Sequence, residues 1–319
     1  MDHPELVTIF GGSGFVGTQL VQLLARAGYR VRVAVRRPDL AGHLRTLGTV
    51  GQIVPMQANL RNRDSVLAAV RGASVVINLA AIGIEKGKQR YRAINVNGAR
   101  HVAEAAKAAG ALRLIHMSIL GADANSPSLF ARSRAMGEAE VRGQFPGAII
   151  FRPSIVFGVD DEFFNMMGWL ARVSPVMPLF GGKTKFQPVY VGDVAQAIAM
   201  AAMGNAKAGK TYELGGPEVL TNRALVERVL RDTKRKNPIL PLPAFVGSLI
   251  AFPMSILPKP LVTADQIKLL QIDNVVGAEA TKDKRTLAGL GIVPRPLDAV
   301  LPSYLWRFSA NGQFDRQTA

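Results

Sequence analysis

The chain of 319 residues contains no cysteine, which excludes disulfides and thiolate metal sites and is compatible with a reducing compartment. Acidic residues are scarce: 23 Asp and Glu stand against 39 Lys and Arg, a net charge of +16. Such a field favours an anionic partner, whether nucleic acid, acidic lipid or an acidic protein surface. Aromatics make up only 7% and no nucleic-acid motif accompanies the charge, so a membrane or protein partner is favoured over nucleic acid. The opening residues, Met1 to Glu5, lack a basic n-region and a long apolar run, and read as no signal peptide. An unbroken membrane-spanning helix is also missing. Asn237–Pro258 carries no charge over 22 residues, but Pro238, Pro241, Pro243, Pro253 and Pro258 each remove an amide donor. The longest continuous helix predicted there is Ala244–Phe252, too short to span.

What is present is a folded composition, 48% hydrophobic and 19% charged, with enough length for one α/β domain and a smaller appendage. The organising stretch is Val7 to Gly17. Four residues of β character run into a turn, Gly11-Gly12-Ser13-Gly14-Phe15-Val16-Gly17, and an amphipathic helix follows with Val16, Leu20, Leu23 and Leu24 at helical spacing. Gly11 allows the tight turn, Gly14 lets backbone approach a pyrophosphate, and Gly17 lets helix and strand pack closely. The helix N-terminus would offer unpaired N–H groups to phosphate. A strand before this turn and a helix after it make it a predicted dinucleotide site.

Strand two is predicted over Arg30–Val35 and ends in Arg36-Arg37-Pro38. Sites that prefer NAD place a carboxylate here for the ribose 2′-hydroxyl; two guanidinium groups suit a 2′-phosphate, so NADPH is the expected cofactor. Strand three is predicted over Gly51–Gln57, followed by Asn59 and Leu60, with the Asn59 amide placed for the adenine edge. A helix over Asp64–Val70 has Asp64 and Ser65 as cap candidates. Strand four, Ser74–Leu79, ends in Ala80 and Ala81, small enough for a ribose to lie against backbone. Asn95 opens a helix to Ala109 and reads equally as a cap or a cofactor contact. Strand five is Leu112–Ser118, and strand six is Ala148–Arg152, with Pro153, Ser154 and Ile155 beyond it. The fold class is α/β, a right-handed doubly wound parallel sheet of Rossmann type with a smaller mixed C-terminal domain. The dinucleotide-binding domain is assigned to 1–155, with 186–216 returning to it. The small domain is assigned to 156–185 and 217–319, facing a membrane or a neighbouring subunit.

The motifs resemble the extended or atypical short-chain dehydrogenase/reductase superfamily. They are Gly11 to Gly17, Asn78-Leu79-Ala80-Ala81, Asn95-Val96-Asn97-Gly98 and Gln187 to Ala195. The resemblance implies a serine at the end of strand five and Tyr-x-x-x-Lys on the next helix. The tyrosine passes a proton while hydride moves, and the lysine lowers the tyrosine pKa and holds the nicotinamide ribose. Ser118 matches the serine, but Phe130 stands at the tyrosine position and Arg134 at the lysine position. Phenylalanine has no proton to give, and general acid catalysis is worth about 10²–10⁴ in rate. Arginine can hold a ribose or phosphate but barely titrates. The implied site is therefore a nucleotide pocket with a degenerate catalytic set and no metal. Tyr190, in the stretch that borders the substrate cleft in related proteins, reads more readily as a packed strand residue than as a replacement acid.

Within that superfamily the chain resembles the NAD(P)H-binding accessory subunits of respiratory complex I. Ser128 to Glu138, Phe145 to Ser154 and Lys185 to Val191 carry the resemblance, with agreement around Ile239 to Val262 and at Asp273-Asn274. Members commonly keep the tyrosine and lysine, so this chain departs from them at both positions. The resemblance implies a subunit that holds NADPH off the electron path, with other respiratory subunits as partners. It would sit on the cytoplasmic face of a bacterial inner membrane or the matrix face of the mitochondrial one. The basic run Arg223–Lys236 beside the uncharged Asn237–Val262 segment reads as a flank for anionic headgroups. Tyr304 to Phe308 reads equally as an interfacial aromatic rim or as core. An NADPH-dependent reductase or epimerase, and an NADP(H)-sensing regulator, are the alternative functions.

Overall fold

In the computed structural model, which describes residues 5–243, 245–247 and 263–310, seven strands form one parallel sheet. Its members are β1 (Leu6–Phe10), β2 (Arg30–Val35), β3 (Ile53–Gln57), β4 (Val75–Asn78), β5 (Arg113–Met117), β6 (Ile149–Pro153) and the strand Thr211–Leu214. From one edge they run Thr211–Leu214, β6, β5, β4, β1, β2, β3, with every pairing parallel. This doubly wound order places β1 between β2 and β4, so loops leaving all three converge at one carboxyl edge.

The central strand β4 is buried on both faces, at most 1% exposed at every position, which is why it reads as a continuous apolar run. Helix α1 (Phe15–Arg26) packs Leu20, Val21 and Leu24 inward and lies against Val191–Ala202, whose small buried residues permit close approach. Helices α2 (Arg63–Val70), α3 (Asn97–Ala108) and α4 (Leu129–Gln144) pack in succession on a second core that includes Val66, Val102, Leu114 and Val141. Asn62 caps α2, its side chain accepting the Ser65 N–H at 2.9 Å; the candidates Asp64 and Ser65 lie inside the helix. The C-terminal carbonyls of α2 are met from the sheet. Thr8 Oγ1 donates to Ala69 O at 3.0 Å, and Arg32 Nη1 donates to the carbonyls of Ala69 and Arg71 at 2.8 Å each. Before α3 the predicted helix start is a π-helical turn, Arg92–Val96, so Asn95 is not a cap. The edge strand Thr211–Leu214 is covered by 277–293: Arg285 O accepts the Glu213 N–H at 2.9 Å, and Arg285 Nη1 donates to Thr211 O at 2.8 Å.

The chain divides into two compact units. One comprises 1–153, 191–214 and 277–293 and contains the sheet; the other comprises 154–190, 215–276 and 294–319. The second is mixed α/β, with helices Phe163–Val173 and Asn222–Asp232 and three two-stranded pieces. Phe157, Phe164, Leu225, Val229 and Leu301 build its core. There Asp161 accepts N–H groups from Gly158, Phe164 and Asn165 and the hydroxyl of Tyr304. Burial raises the Asp161 pKa against those hydrogen bonds. Tyr304 and Leu305 are core while Trp306 is exposed, so the aromatic stretch divides between the two readings.

Candidate functional site

The glycine turn lies at the carboxyl end of β1. Gly11 has φ +78°, where a side chain is strained, and a Cβ there would stand 3.0 Å from the Ala80 nitrogen. Gly17 faces the turn itself: a Cβ would collide with Gly11 O and come within 2.6 Å of Gly12 Cα. Gly14 is the N-cap of α1 and supplies no capping side chain; the first helical bond runs from Thr18 N–H to Gly14 O at 2.9 Å. The first-turn N–H groups of α1 are thus left for a ligand, at the positive end of the helix dipole.

Above this turn is a cavity of about 580 Å³. Its walls include Gly11, Ser13 and Gly14 from the turn, Arg36 and Arg37 after β2, Asn59 and Leu60 after β3, and Leu79, Ala80 and Ala81 after β4. Ala34, Val35, Leu40, Ala58, Ile82, Gln89 and Ile94 also line it. The strand-end residues among these follow from where strands stop, but nothing in the local sequence marks Gln89. No Asp or Glu stands among the described lining residues. Arg36 and Arg37 are exposed at the rim, and Arg37 pairs with its neighbour Asp39 at 3.4 Å. The Asn59 side-chain oxygen accepts the Arg61 N–H at 3.1 Å, which turns that end of the amide into its own loop.

Gly12, Phe15, Val16, Gly17, Asn95, Ser118, Arg134 and Pro153 are not among the lining residues; Ser154 and Ile155 belong to the second unit. Gly12 and Gly17 support the turn from behind. Asn95 is 1% exposed and fully engaged: its Oδ1 accepts the Ile82 N–H at 3.0 Å, and its Nδ2 donates to Ile82 O at 3.1 Å and Ser133 Oγ at 3.0 Å. It therefore holds the wall of the cavity through Ile82. Ser154 Oγ donates to Asn274 Oδ1 at 2.6 Å. Tyr190 packs on Phe157 with ring centroids 5.8 Å apart, and the Arg295 guanidinium lies over its ring at 5.0 Å.

Ser118, His116 and Arg134 form a buried cluster at the end of β5. Phe130, half-buried, lies beside Tyr91 with ring centroids 5.9 Å apart and ring planes tilted by 45°. Arg134 is 2% exposed; its Nη2 donates to Met117 O, while Nε and Nη1 have no partner. The nearby carboxylate, Glu138, is taken by Arg152 through bonds of 2.9 and 2.7 Å. Burial lowers the Arg134 pKa to about 10, opposed by the charge of Glu138, so the guanidinium remains charged at neutral pH. Ser118 Oγ is buried without a partner. His116 Nδ1 lies 3.2 Å from Asn78 Nδ2, and the Asn78 amide is oriented by its Oδ1 accepting the Ala80 N–H at 3.1 Å. Nδ1 is thus the acceptor, and the proton sits on Nε2, which has no partner. Burial, then the charge of Arg134, pushes the His116 pKa well below 6.5. The cluster is rich in donors and has no group that exchanges protons near neutrality.

A glycine cradle, a helix N-terminus without a side-chain cap and a cationic rim together fit a dinucleotide. When bound, such a group would supply a hydride. Among the described residues no cluster of three His, Asp or Glu is placed to hold a metal ion.

The sheet order and the turn at β1 define a dinucleotide-binding α/β protein of the short-chain dehydrogenase/reductase kind. Residues 5–245 match the family described as RmlD substrate binding domain, and the chain belongs to that extended reductase family. It is 37% identical to the Arabidopsis thaliana protein named NADH dehydrogenase [ubiquinone] 1 alpha subcomplex subunit 9, mitochondrial, over 96% of this chain and 79% of that one. The protein of the same name from Rattus norvegicus is 38% identical over 92% and 78%. Among solved structures, a dTDP-glucose 4,6-dehydratase from Streptomyces venezuelae with NAD and TYD bound superposes with a TM-score of 0.70 at 18% identity, over 96% and 98% of the two chains. That likeness is one of fold.

Proposed function

We propose that this chain is an accessory subunit of a respiratory complex I, holding NADPH tightly and performing no carbonyl reduction of its own. This reading is supported by the glycine turn and guanidinium rim of the cavity, together with the buried Ser118 and Arg134 and a phenylalanine at 130, where the resemblance expects the acid. The names of the relatives supply the assembly. Arg36 and Arg37 hold the 2′-phosphate, the α1 N-terminus holds the pyrophosphate, and Asn59 faces the adenine. Bound nucleotide stabilises the sheet-containing unit by mass action. The second unit faces membrane-arm subunits and an anionic surface, through Arg223–Lys236 and Asn237–Val262.

Among the described residues no helix is long and apolar enough to cross a membrane. Part of the basic run is already engaged: Arg223 pairs with Glu227 at 2.9 Å, Arg228 with Glu218 and Asp298, and Arg231 with Asp298 at 2.7 Å. Lys234 and Lys236 are exposed. Residues 244 and 248–262 of the uncharged segment, including most of the predicted Ala244–Phe252 helix, lie outside the described residues, as do Met1–Pro4 and 311–319.

The test is to purify the native assembly in mild detergent and identify any nucleotide released from this chain. Co-purification with respiratory subunits and about one NADPH per chain is the expected result. Absence from every respiratory assembly defeats the subunit reading. Enzyme-like oxidation of NADPH by the unmodified protein with any of a panel of carbonyl substrates would instead establish the reductase.

A further inference from the structure

The loops after β1, β2 and β3 meet the cavity in order. The glycine turn follows β1, the arginine pair follows β2 and Asn59 follows β3, and these strands are neighbours in the sheet in that sequence. β3 is the outermost, two strand spacings, or on the order of 10 Å, from the turn. A nucleotide with its pyrophosphate on the turn and its 2′-phosphate at Arg36 and Arg37 therefore brings its base to Asn59, the edge farthest from the ribose leading. In adenine that edge carries ring nitrogen N1, an acceptor, and the 6-amine, a donor.

Asn59 is tied to its own loop. Ser65 Oγ accepts the Asn59 N–H at 3.0 Å, and Asn59 O accepts the Asn62 N–H at 2.8 Å. The side-chain Oδ1 accepts the Arg61 N–H at 3.1 Å, which closes an Asx turn. A backbone N–H can only donate, so the oxygen end of the amide is the one turned into the loop. What Asn59 has left for the cavity it lines is Nδ2, which donates and does not accept. No Asp or Glu stands among the described lining residues to accept from a 6-amine.

We infer that Asn59 selects the base of the nucleotide as a donor, reading ring nitrogen N1 of adenine through Nδ2 rather than the 6-amine. This rests on the nucleotide reading above and adds the choice of base. A base whose N1 carries a hydrogen sets donor against donor, which costs more than a missing contact.

The experiment measures binding of three reduced coenzymes to the full chain by calorimetric titration. They are NADPH, its hypoxanthine analogue, in which N1 carries a hydrogen, and its 6-unsubstituted purine analogue, which lacks the amine but keeps the N1 acceptor. The parent is expected to bind the purine analogue within about three-fold of NADPH, and the hypoxanthine analogue at least about 10-fold more weakly. Asn59→Asp keeps an oxygen for the Arg61 N–H and turns the donor into an acceptor. Its preference for adenine over hypoxanthine should fall by about 10-fold or more. Comparing coenzymes within each protein cancels the repulsion between the new carboxylate and the phosphates. A purine analogue that binds as weakly as the hypoxanthine one assigns recognition to the 6-amine and overturns the inference, as does a parent indifferent to the base. An adenine preference unchanged or strengthened in Asn59→Asp overturns it as well, and each of these results leaves the nucleotide reading intact. If Asn59→Asp binds neither coenzyme, the analogue ratios of the parent decide. A parent protein that takes up no NADPH overturns both.

Discussion

Gly17 and His116 show how much rests on single side chains, or on the lack of one. Gly17→Ala places a methyl against Gly11 O, so the turn must open and the cradle with it. Loss of NADPH affinity by at least about ten-fold, with a stability loss on the order of 1–3 kcal/mol, is expected from titration and denaturant melts. His116 is buried and neutral, its folded pKa held below the 6.5 of the unfolded chain. Between those two values the unfolded state binds the extra proton, so the contribution is complete above 6.5 and shrinks as pH falls. The slope approaches about 1.4 kcal/mol per pH unit below the unfolded pKa. Urea midpoints at pH 7 and pH 5 should show this loss in the parent and a flatter response in His116→Gln. Arg36→Gln with Arg37→Gln should weaken NADPH by about 10-fold or more while leaving NADH nearly unchanged, measured by calorimetric titration. Equal losses for both nucleotides would remove the assignment of these arginines to the 2′-phosphate.

The element that decides the cavity wall is the π-helical turn before α3. The wider turn presents Asn95 to both backbone groups of Ile82, joining the loop after β4 to the start of α3 and to Ser133 of α4. Asn95→Ala leaves the Ile82 N–H and C=O without those partners. A stability loss of about 1–3 kcal/mol is expected, together with weaker nucleotide binding, because Ile82 forms part of the wall. Denaturant midpoints with and without NADPH measure both. Asn95→Asp tests the geometry further, since a carboxylate accepts the Ile82 N–H but has no donor for Ile82 O.

At the scale of the whole molecule, a nucleotide that binds the folded chain alone shifts its unfolding equilibrium. At 100 times Kd the gain is about 2.7 kcal/mol, so melting temperature should climb with NADPH concentration and level off only slowly. A melting temperature indifferent to NADPH would contradict the holding role. Restoring the proton donor by Phe130→Tyr with Arg134→Lys should leave this stabilisation largely intact. The charge of +16 belongs to this scale too, yet much of the Arg223–Lys236 run is spent on local carboxylates. The field is therefore less concentrated there than a count of cations suggests.

The doubly wound sheet was legible because its cues are local. Apolar runs of strand length alternate with amphipathic helices, and a glycine turn after the first strand needs only short-range sterics. The arginine pair after β2 was legible for the same reason, and both arginines line the cavity. Asn95 was not, because a cap and a backbone clamp share one residue type and differ only in what lies across the fold. Gln89 joins the site because strand order sets the loops after β4 and β2 on either side of β1. The sealing of Ser118 and Arg134 was equally hidden, since burial depends on everything packed around a side chain. Local sequence determined the strands and the turn; tertiary packing decided which residues meet at the cavity, because strand order and burial are properties of the assembled chain.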